Sequence, residues 1–283
     1  MPETPRWLLS KGRLKECRKV LQKIEPENTV NDLIGQMEVE IEKDRNSAVG
    51  WRYLMQPWLR TPLMIAVCIM FFQQFVGINT VIYSPKIFLM AGFESTLSAI
   101  WASVGIGIVN VVFTVISLYL VDRIGRRKLY FIGLSGIAFS VLCLSACFIY
   151  ANQLGEIGRW LMVIFMFGYV AFFAISIGPL GWLVISEIFP QKVRGLGTSI
   201  GSLAVWIFNC IVSFTFFKII DFFSIPGTEI VVGQTTSENP AGAFFLYGFI
   251  AVLGLVWGYL FLPETKGLSL EEIEQKWRKN REC

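Results

Sequence analysis

The sequence contains no histidine and few charged residues. Among its 283 residues, Asp, Glu, Lys and Arg together make up 16%, whereas soluble domains carry roughly a quarter. Without imidazole groups, histidine metal sites, histidine-based catalytic triads and histidine proton relays are excluded. The six cysteines include no CxxC pair. We therefore expect no disulfide framework, no metal centre and no cofactor.

Apolar residues are abundant instead, at 54% of the chain. They are concentrated in runs without charge, and each run is long enough to cross the roughly 30 Å hydrocarbon core of a bilayer as a helix. Six such runs in succession predict an all-α integral membrane protein, with a six-helix transmembrane domain over residues 61–262. The predicted spans are approximately 61–83, 97–121, 129–150, 160–186, 196–217 and 241–262.

The positions of the basic residues predict how these spans are oriented. All but three of the 25 Lys and Arg residues fall in four segments that share one side of the membrane. These segments are residues 1–60, 122–128, 190–195 and 263–283. Because cytoplasmic loops carry the excess of Lys and Arg, we expect a multi-pass protein of the cell membrane with both termini in the cytoplasm.

The segments outside the spans have helical character. Residues 1–60 are too polar for a signal peptide, and their apolar residues recur at helical spacing, which predicts a cytoplasmic linker with amphipathic helices. Such helices can bind the membrane surface or a neighbouring helix, or they can lie solvated on the spans. Residues 263–283 form a cytoplasmic tail with the same character from Ser269 to Arg281. The apolar positions of the linker are Leu14, Cys17, Val20, Leu21 and Ile24.

Three amides stand out in the first span, namely Gln73, Gln74 and Asn79. Amides at mid-membrane cost free energy unless they find partners or face a cavity. Gly77 and Pro85 can let the helix unwind so that the three amides converge, as in the broken helices of transporters. Neutral amides that both donate and accept suit a polyhydroxylated ligand. The alternative is that they bond neighbouring helices.

Two further spans carry polar or aromatic exceptions. Asn110 and Thr114 lie one turn apart in the second span, where ligand contact and interhelical bonding are equally consistent with the sequence. In the fourth span, Pro179 frees the carbonyl of Ile175, so we expect a kink beside Trp182. Trp182 can stack on the C–H face of a ligand ring or simply pack against neighbouring helices.

Glu187 ends the fourth span at a depth where a carboxylate needs a cationic partner. The candidates are Arg126 and Arg127 in the loop DRIGRRK, and Arg194 seven residues further along the chain. Ion pairs that form in one conformation and break in another are typical of a two-state gate.

Five motifs, in order, resemble the sugar porters of the major facilitator superfamily. They are PETPRWLL, QQFVGIN, DRIGRRK, GPLGWLVISEIFPQKVRG and LPETKG. The resemblance covers nearly the whole chain but only the C-terminal half of a usual member, helices seven to twelve. It implies two inverted three-helix repeats within a twelve-helix fold that works by alternating access.

The resemblance also implies roles for individual residues. Gln73, Gln74, Asn79, Asn110 and Trp182 match positions that contact the sugar. Residues that match the gates and the conformational charge network are Tyr83, Arg126, Arg127, Glu187, Arg194 and Glu264.

The chain departs from the family pattern at three places. GINTVIYSP offers only Tyr83 where the family has two adjacent tyrosines, and Val205 stands where the family often has an amide before Trp206, although Asn209 follows closely. Met1 immediately precedes a motif expected in mid-protein. We therefore expect a fragment, a split-gene product or a gene remnant that lacks the first six helices and is inactive alone.

The resulting functional hypothesis is transport of a hexose, a pentose or inositol, as uniport or as proton symport, the latter being preferred for the complete protein. Its expected partners are the substrate, protons, the bilayer and the missing N-terminal six-helix half, with no nucleic acid. The alternative is a non-transporting sugar sensor or interaction partner. A membrane enzyme is disfavoured, because there is no histidine and no pair of carboxylates within a span.

Overall fold

The chain divides into two compact units, Met1–Tyr53 and Leu54–Cys283. The computed structural model describes residues 3–23, 27–46, 54–93, 95–190, 193–224, 230–232, 235–267, 272 and 277. Most of the predicted tail helix, and Ile24 of the linker, lie outside these described residues.

The described residues of the first unit form three helices, α1 (Pro5–Ser10), α2 (Leu14–Leu21) and α3 (Glu27–Asn46). The amphipathic pattern predicted for the linker explains its core, because Cys17 and Leu21 of α2 are buried while Leu14 is exposed. Burial, and secondarily the charge of Glu38, raises the pKa of the Cys17 thiol. The residues of this small core are Leu8, Leu9, Cys17, Leu21, Val30 and Ile34.

Six apolar helical spans make up most of the second unit, and together they confirm the predicted fold class. Each is long enough to cross a bilayer, and each has a mean hydropathy of at least 1.9. The observed bounds of the first to sixth spans are Pro57–Ile82, Thr96–Ile124, Arg126–Ile149, Ala151–Ile188, Arg194–Phe222 and Ala241–Phe261.

Four of these spans are continuous helices and two are interrupted. The second, third, fifth and sixth spans are α7 (Thr96–Ile124), α8 (Arg126–Ile149), α11 (Arg194–Phe222) and α12 (Ala241–Phe261). The first span comprises a 3-10 turn (Pro57–Leu59), α4 (Arg60–Phe75) and α5 (Asn79–Ile82), and is followed by α6 (Ser84–Met90). The fourth span comprises α9 (Ala151–Ile175) and α10 (Ile177–Ile188).

The interruptions fall where glycine and proline predicted them. Gly77 has a φ of +93°, which side-chain-bearing residues rarely adopt, so α4 ends before it and α5 begins after it. Pro85 lies in the first turn of α6, where a missing N–H costs little. In the fourth span, α9 ends four residues before Pro179, which confirms the expected kink.

The start of the fourth span differs from the prediction, which began at residue 160. The helix begins at Ala151 and contains a non-helical residue, Gly155, with φ 55° and ψ −127°. The predicted span began after Glu156 and Arg159 because it was defined as a run without charged residues. A helix end near the membrane surface can nevertheless carry such charges.

A short antiparallel hairpin adds the only strands in the described part of the chain. β1 (Ile230–Val232) pairs with β2 (Thr235–Ser237), with Val231 opposite Thr236. It belongs to the connection between the fifth and sixth spans and leaves the membrane domain all-α.

The packing of the spans has an exchange symmetry. The first span packs on the fifth span, and the fourth span packs on the second. The third span packs on the fourth, and the sixth span packs on the first. The third and sixth spans also pack on each other. Exchanging spans one to three with spans four to six reproduces every one of these pairs. Because three is an odd number of crossings, the second repeat enters from the opposite side, which gives the inverted repeats predicted from the family.

Candidate functional site

A cavity of about 410 Å³ lies among the first, second, fourth and fifth spans. Among the described residues, its lining combines neutral polar side chains with aromatic rings and contains no charged residue. Four of the five residues predicted to contact a ligand line it, namely Gln73, Gln74, Asn110 and Trp182. The other lining residues are Thr114, Phe173, Ala174, Gly178, Pro179, Val205, Trp206 and Asn209.

The break at Gly77 determines how the amides of the first span are placed. Gln73 and Gln74 end α4, whereas Asn79 begins α5, and all three side chains are buried. Because the chain turns at Gly77, Gln74 and Asn79 reach the same residue of the fifth span. The predicted convergence therefore holds for this pair.

That shared residue is Asn209. Its Nδ2 donates to Oε1 of Gln74 over 3.0 Å and to Oδ1 of Asn79 over 3.1 Å. Asn79 does not line the cavity, and its own Nδ2 donates to Ser213 Oγ over 2.8 Å. Asn79 thus lies behind Asn209, and the amide that reaches the cavity from this position of the fifth span comes from Asn209. From the sequence, Asn209 was predicted only as a possible substitute for the amide that is absent at Val205.

Gln73 faces a different neighbour. Its Nε2 donates to the carbonyls of Ile177 and Gly178, over 3.1 and 2.6 Å, at the start of α10. Its Oε1 is buried and has no hydrogen-bond partner among the described residues. Gln73 therefore combines the two predicted roles, since it bonds a neighbouring helix through nitrogen and leaves an acceptor oxygen unpaired.

Two tryptophans of the cavity lining are exposed. The side chains of Trp182 and Trp206 are 46% and 69% exposed. On the second span, Thr114 Oγ1 donates to the Asn110 backbone carbonyl over 2.7 Å. The Asn110 side-chain amide makes no hydrogen bond with the described residues and lines the cavity. Indole faces bind the C–H surface of a ring, and amides bind its hydroxyl groups.

Tyr83 lies outside the cavity lining, at the junction of α5 and α6. Its ring stacks on Phe216 with centroids 4.7 Å apart, and its hydroxyl donates to the Ser213 carbonyl over 3.4 Å. Ser213 also accepts from Asn79, so both residues after the Gly77 break are anchored to one turn of the fifth span.

A second site, which we call the charge cluster, comprises Arg126, Glu187, Glu264 and Thr265. Arg126 Nη2 pairs with Glu187 Oε1 at 2.9 Å, and Thr265 Oγ1 donates to Glu187 Oε2 over 2.6 Å. The Glu264 carboxylate accepts the backbone N–H groups of Arg126, over 3.0 Å, and of Arg127, over 3.2 Å. Glu264 therefore caps the N-terminus of α8, where N–H groups lack partners within the helix.

The structure discriminates among the three arginines proposed for Glu187. Arg126 is its partner, whereas Arg127 Nη2 donates to the Tyr259 carbonyl over 2.9 Å. Nε and Nη2 of Arg194 are buried without a hydrogen-bond partner among the described residues. Thr265 was missed by the sequence analysis, because only its place after Glu264 in LPETKG gave any signal.

These features define a multi-pass helical membrane protein with a neutral polar cavity between its spans and a charge cluster at one end. A family profile described as "Sugar (and other) transporter" matches residues 1–277. The chain therefore belongs to the sugar transporter family, within the major facilitator superfamily, and this confirms the resemblance. Proteins of this family are transporters, so the expectation that the chain is not an enzyme is also confirmed.

Individual relatives support the same assignment. The chain is 36% identical to a glucose transporter of Staphylococcus epidermidis, covering 98% of this chain and 58% of the relative. It is 34% identical to a probable polyol transporter of Arabidopsis thaliana, over 97% and 55%. The solved structure of the proton:xylose symporter XylE, bound to 6-bromo-6-deoxy-D-glucose, matches with a TM-score of 0.70 at 32% identity, over 98% and 55%.

The coverage shows which part of the family fold is present. The chain spans slightly more than half the length of the relatives that it matches. Its six spans match the C-terminal half of the twelve-helix fold.

Proposed function

We propose that this chain forms one wall of a pathway that transports a sugar or polyol by alternating access. The observation that carries the proposal is the cavity itself, in which amides from three spans and two tryptophans surround a space that none of the described charged residues lines. A neutral lining excludes the strong preference for ionic ligands that a buried charge would impose.

The orientation of the amides supports a hydroxylated ligand. Because Gln73 Nε2 and Gln74 Oε1 are already engaged, Gln73 is left as an acceptor and Gln74 as a donor toward the cavity. A hydroxyl group can donate to the first and accept from the second. We propose hexoses, pentoses or inositol as the substrate class, in keeping with the glucose, polyol and xylose named for the relatives.

The second proposal is that the pathway requires a second six-helix half. The large exposed fractions of Trp182 and Trp206 leave the cavity open on one side, and alternating access needs two walls that rock around one site. We propose that the proton-coupling carboxylate of a symporter belongs to that other half, since the described residues bring no carboxylate to the cavity lining. On this proposal, the chain alone does not transport.

The charge cluster is proposed as a conformational switch on the cytoplasmic side, with both termini in the cytoplasm of a cell-membrane protein. Arg126, Glu187 and Glu264 stabilise the outward-facing state. Nε and Nη2 of Arg194 have no hydrogen-bond partner among the described residues, and we propose that the other half supplies one. We propose that Tyr83 contributes to the extracellular gate through its anchor on the fifth span.

The experiment is sugar binding and uptake by this chain co-reconstituted with the N-terminal half of a related transporter. Gln74→Ala and Trp182→Ala should each weaken sugar binding roughly tenfold, which is what one lost hydrogen bond or stacking contact of about 1.4 kcal/mol produces. Trp101→Ala is the matched control, since Trp101 is 67% exposed but does not line the cavity.

Unchanged affinity in both cavity variants would refute the site assignment. Binding without uptake in the reassembled pair would favour the sensor hypothesis. Saturable uptake by this chain alone in liposomes would refute the requirement for a second half.

A further inference from the structure

A side chain of the second span hydrogen-bonds the backbone at the break in the fourth span. α9 ends at Ile175, and Ser176 has φ −120° and ψ −102° before α10 begins. The Ile175 carbonyl has lost its helical donor because Pro179 carries no N–H. Ser117 Oγ of the second span donates to this carbonyl over 2.7 Å. The acceptor freed by Pro179 is therefore paired by a side chain from another helix.

A side chain of the first span hydrogen-bonds the backbone on the other side of the break. Gln73 Nε2 donates to the carbonyls of Ile177 and Gly178. The break thus has one donor on each side of it, and each donor comes from a different span. A kink with bonds on both sides has a defined angle, whereas a kink with free carbonyls can vary.

The packing around Ser117 leaves no room for water to replace its hydroxyl group. Ser117 and Ser176 are fully buried. On the third span, Gly133 lies so close that a Cβ there would overlap the Ser176 side chain. Removing the Ser117 hydroxyl would therefore leave a buried carbonyl without a partner, which destabilises this arrangement relative to others in which the carbonyl is paired.

We infer that Ser117 is a positioning residue for α10. By holding the Ile175 carbonyl, Ser117 fixes the angle between α9 and α10. α10 carries Trp182 at the cavity and Glu187 in the charge cluster, so this one hydrogen bond places a residue in each site. The second span supports the same geometry, because Asn110 and Thr114 line the cavity from the turns before Ser117. The consequence for sugar affinity rests on the proposed function, but the positioning of α10 does not.

Hydrogen exchange of this chain in detergent or nanodiscs tests the inference without any sugar. Ser117→Ala should accelerate exchange of the amides in the first turns of α10, residues 180–184, by about two- to tenfold, which corresponds to one lost hydrogen bond. Ser117→Cys keeps the side-chain volume and a weak donor, so it should give an intermediate rate even if the alanine variant folds poorly.

Ser145→Ala is the matched control. Ser145 is also buried, and its Oγ donates to the Ala241 carbonyl of the sixth span over 2.7 Å. It therefore loses the same kind of bond away from the break, and exchange at residues 180–184 should stay at the unsubstituted rate. Equal rates in Ser117→Ala and the unsubstituted chain, or an increase spread evenly over all spans, would overturn the inference.

A second measurement tests the placement of Trp182. In the assembly with an N-terminal half, Ser117→Ala should raise the sugar dissociation constant about two- to tenfold, while Ser145→Ala leaves it unchanged. Faster exchange with unchanged affinity would overturn the link to Trp182. If the unsubstituted assembly binds no sugar, the proposed function fails, while faster exchange in α10 still supports the positioning role.

Discussion

Glu264 stabilises the membrane domain as a helix cap supplied from a distant part of the chain. One carboxylate accepts four backbone N–H groups, from Arg126, Arg127, Thr265 and Lys266, at 3.0 to 3.2 Å. The first two belong to the start of α8, and the last two belong to the loop after the sixth span. We expect its removal to loosen both elements at once.

The magnitude follows from these contacts. Losing a side-chain cap costs about 0.5–2 kcal/mol, and losing a negative charge at a helix N-terminus costs about 0.3–1 kcal/mol. Since Glu264 is half-buried, water replaces part of what is lost, so Glu264→Ala should destabilise by about 1–2 kcal/mol. Glu264→Gln retains one acceptor oxygen for three of the N–H groups but loses the charge and the second oxygen, which accepts the Arg127 N–H, so it should cost about 0.5–1 kcal/mol.

Thermal unfolding in detergent measures this difference. In globular chains of about 150–250 residues, each kcal/mol moves the Tm by roughly 2–4 °C, so the alanine variant should melt roughly 2–8 °C lower and the glutamine variant should fall between it and the unsubstituted chain. Glu238→Ala, an exposed carboxylate away from the cluster, should not move the Tm. An alanine variant as stable as this control, or no more destabilised than the glutamine variant, would refute the capping argument.

Two further predictions concern the charge cluster and the break in the first span. Glu187→Gln removes the ion pair with Arg126. A loss of about 1–2 kcal/mol should shift the outward-to-inward population ratio about 5- to 30-fold, with no change in sugar preference. Distances between spin labels measure the two populations, and an altered sugar preference would contradict this role. Gly77→Ala should destabilise by about 1–3 kcal/mol, because φ is +93° and the added Cβ would lie 2.7 Å from the Tyr247 ring. Gly107→Ala, with open space around it, is the control in the same unfolding assay, and equal stability of the two variants would show that the turn is not strained.

The elements predicted best from sequence are those with local causes. Charge-free length is a property of each segment, so all six spans could be predicted. Gly77 and Pro179 act on the backbone within a few residues of themselves, so both breaks could be predicted as well. The bounds were less predictable, as the early start of the fourth span at Ala151 shows.

Partner choice within the sites required the structure. Glu187 had three plausible cationic partners, and the selection of Arg126 depends on how α10 packs against the start of α8. The same holds for Asn209, whose two bonds join residues 130 or more positions apart. The hairpin between the fifth and sixth spans lacked any prediction, since its three-residue strands are too short for a periodic pattern.

The cap on α8 also constrains the order of assembly. Glu264 is 138 residues beyond Arg126, so during synthesis it emerges only after the sixth span. The third span must therefore enter the membrane before its carboxylate cap exists, and Thr265 and Glu264 close the charge cluster together at the end. A chain interrupted before this loop would contain all six apolar spans and Arg126. However, α8 would lack its cap, and Glu187 would lack one of its two partners, Thr265.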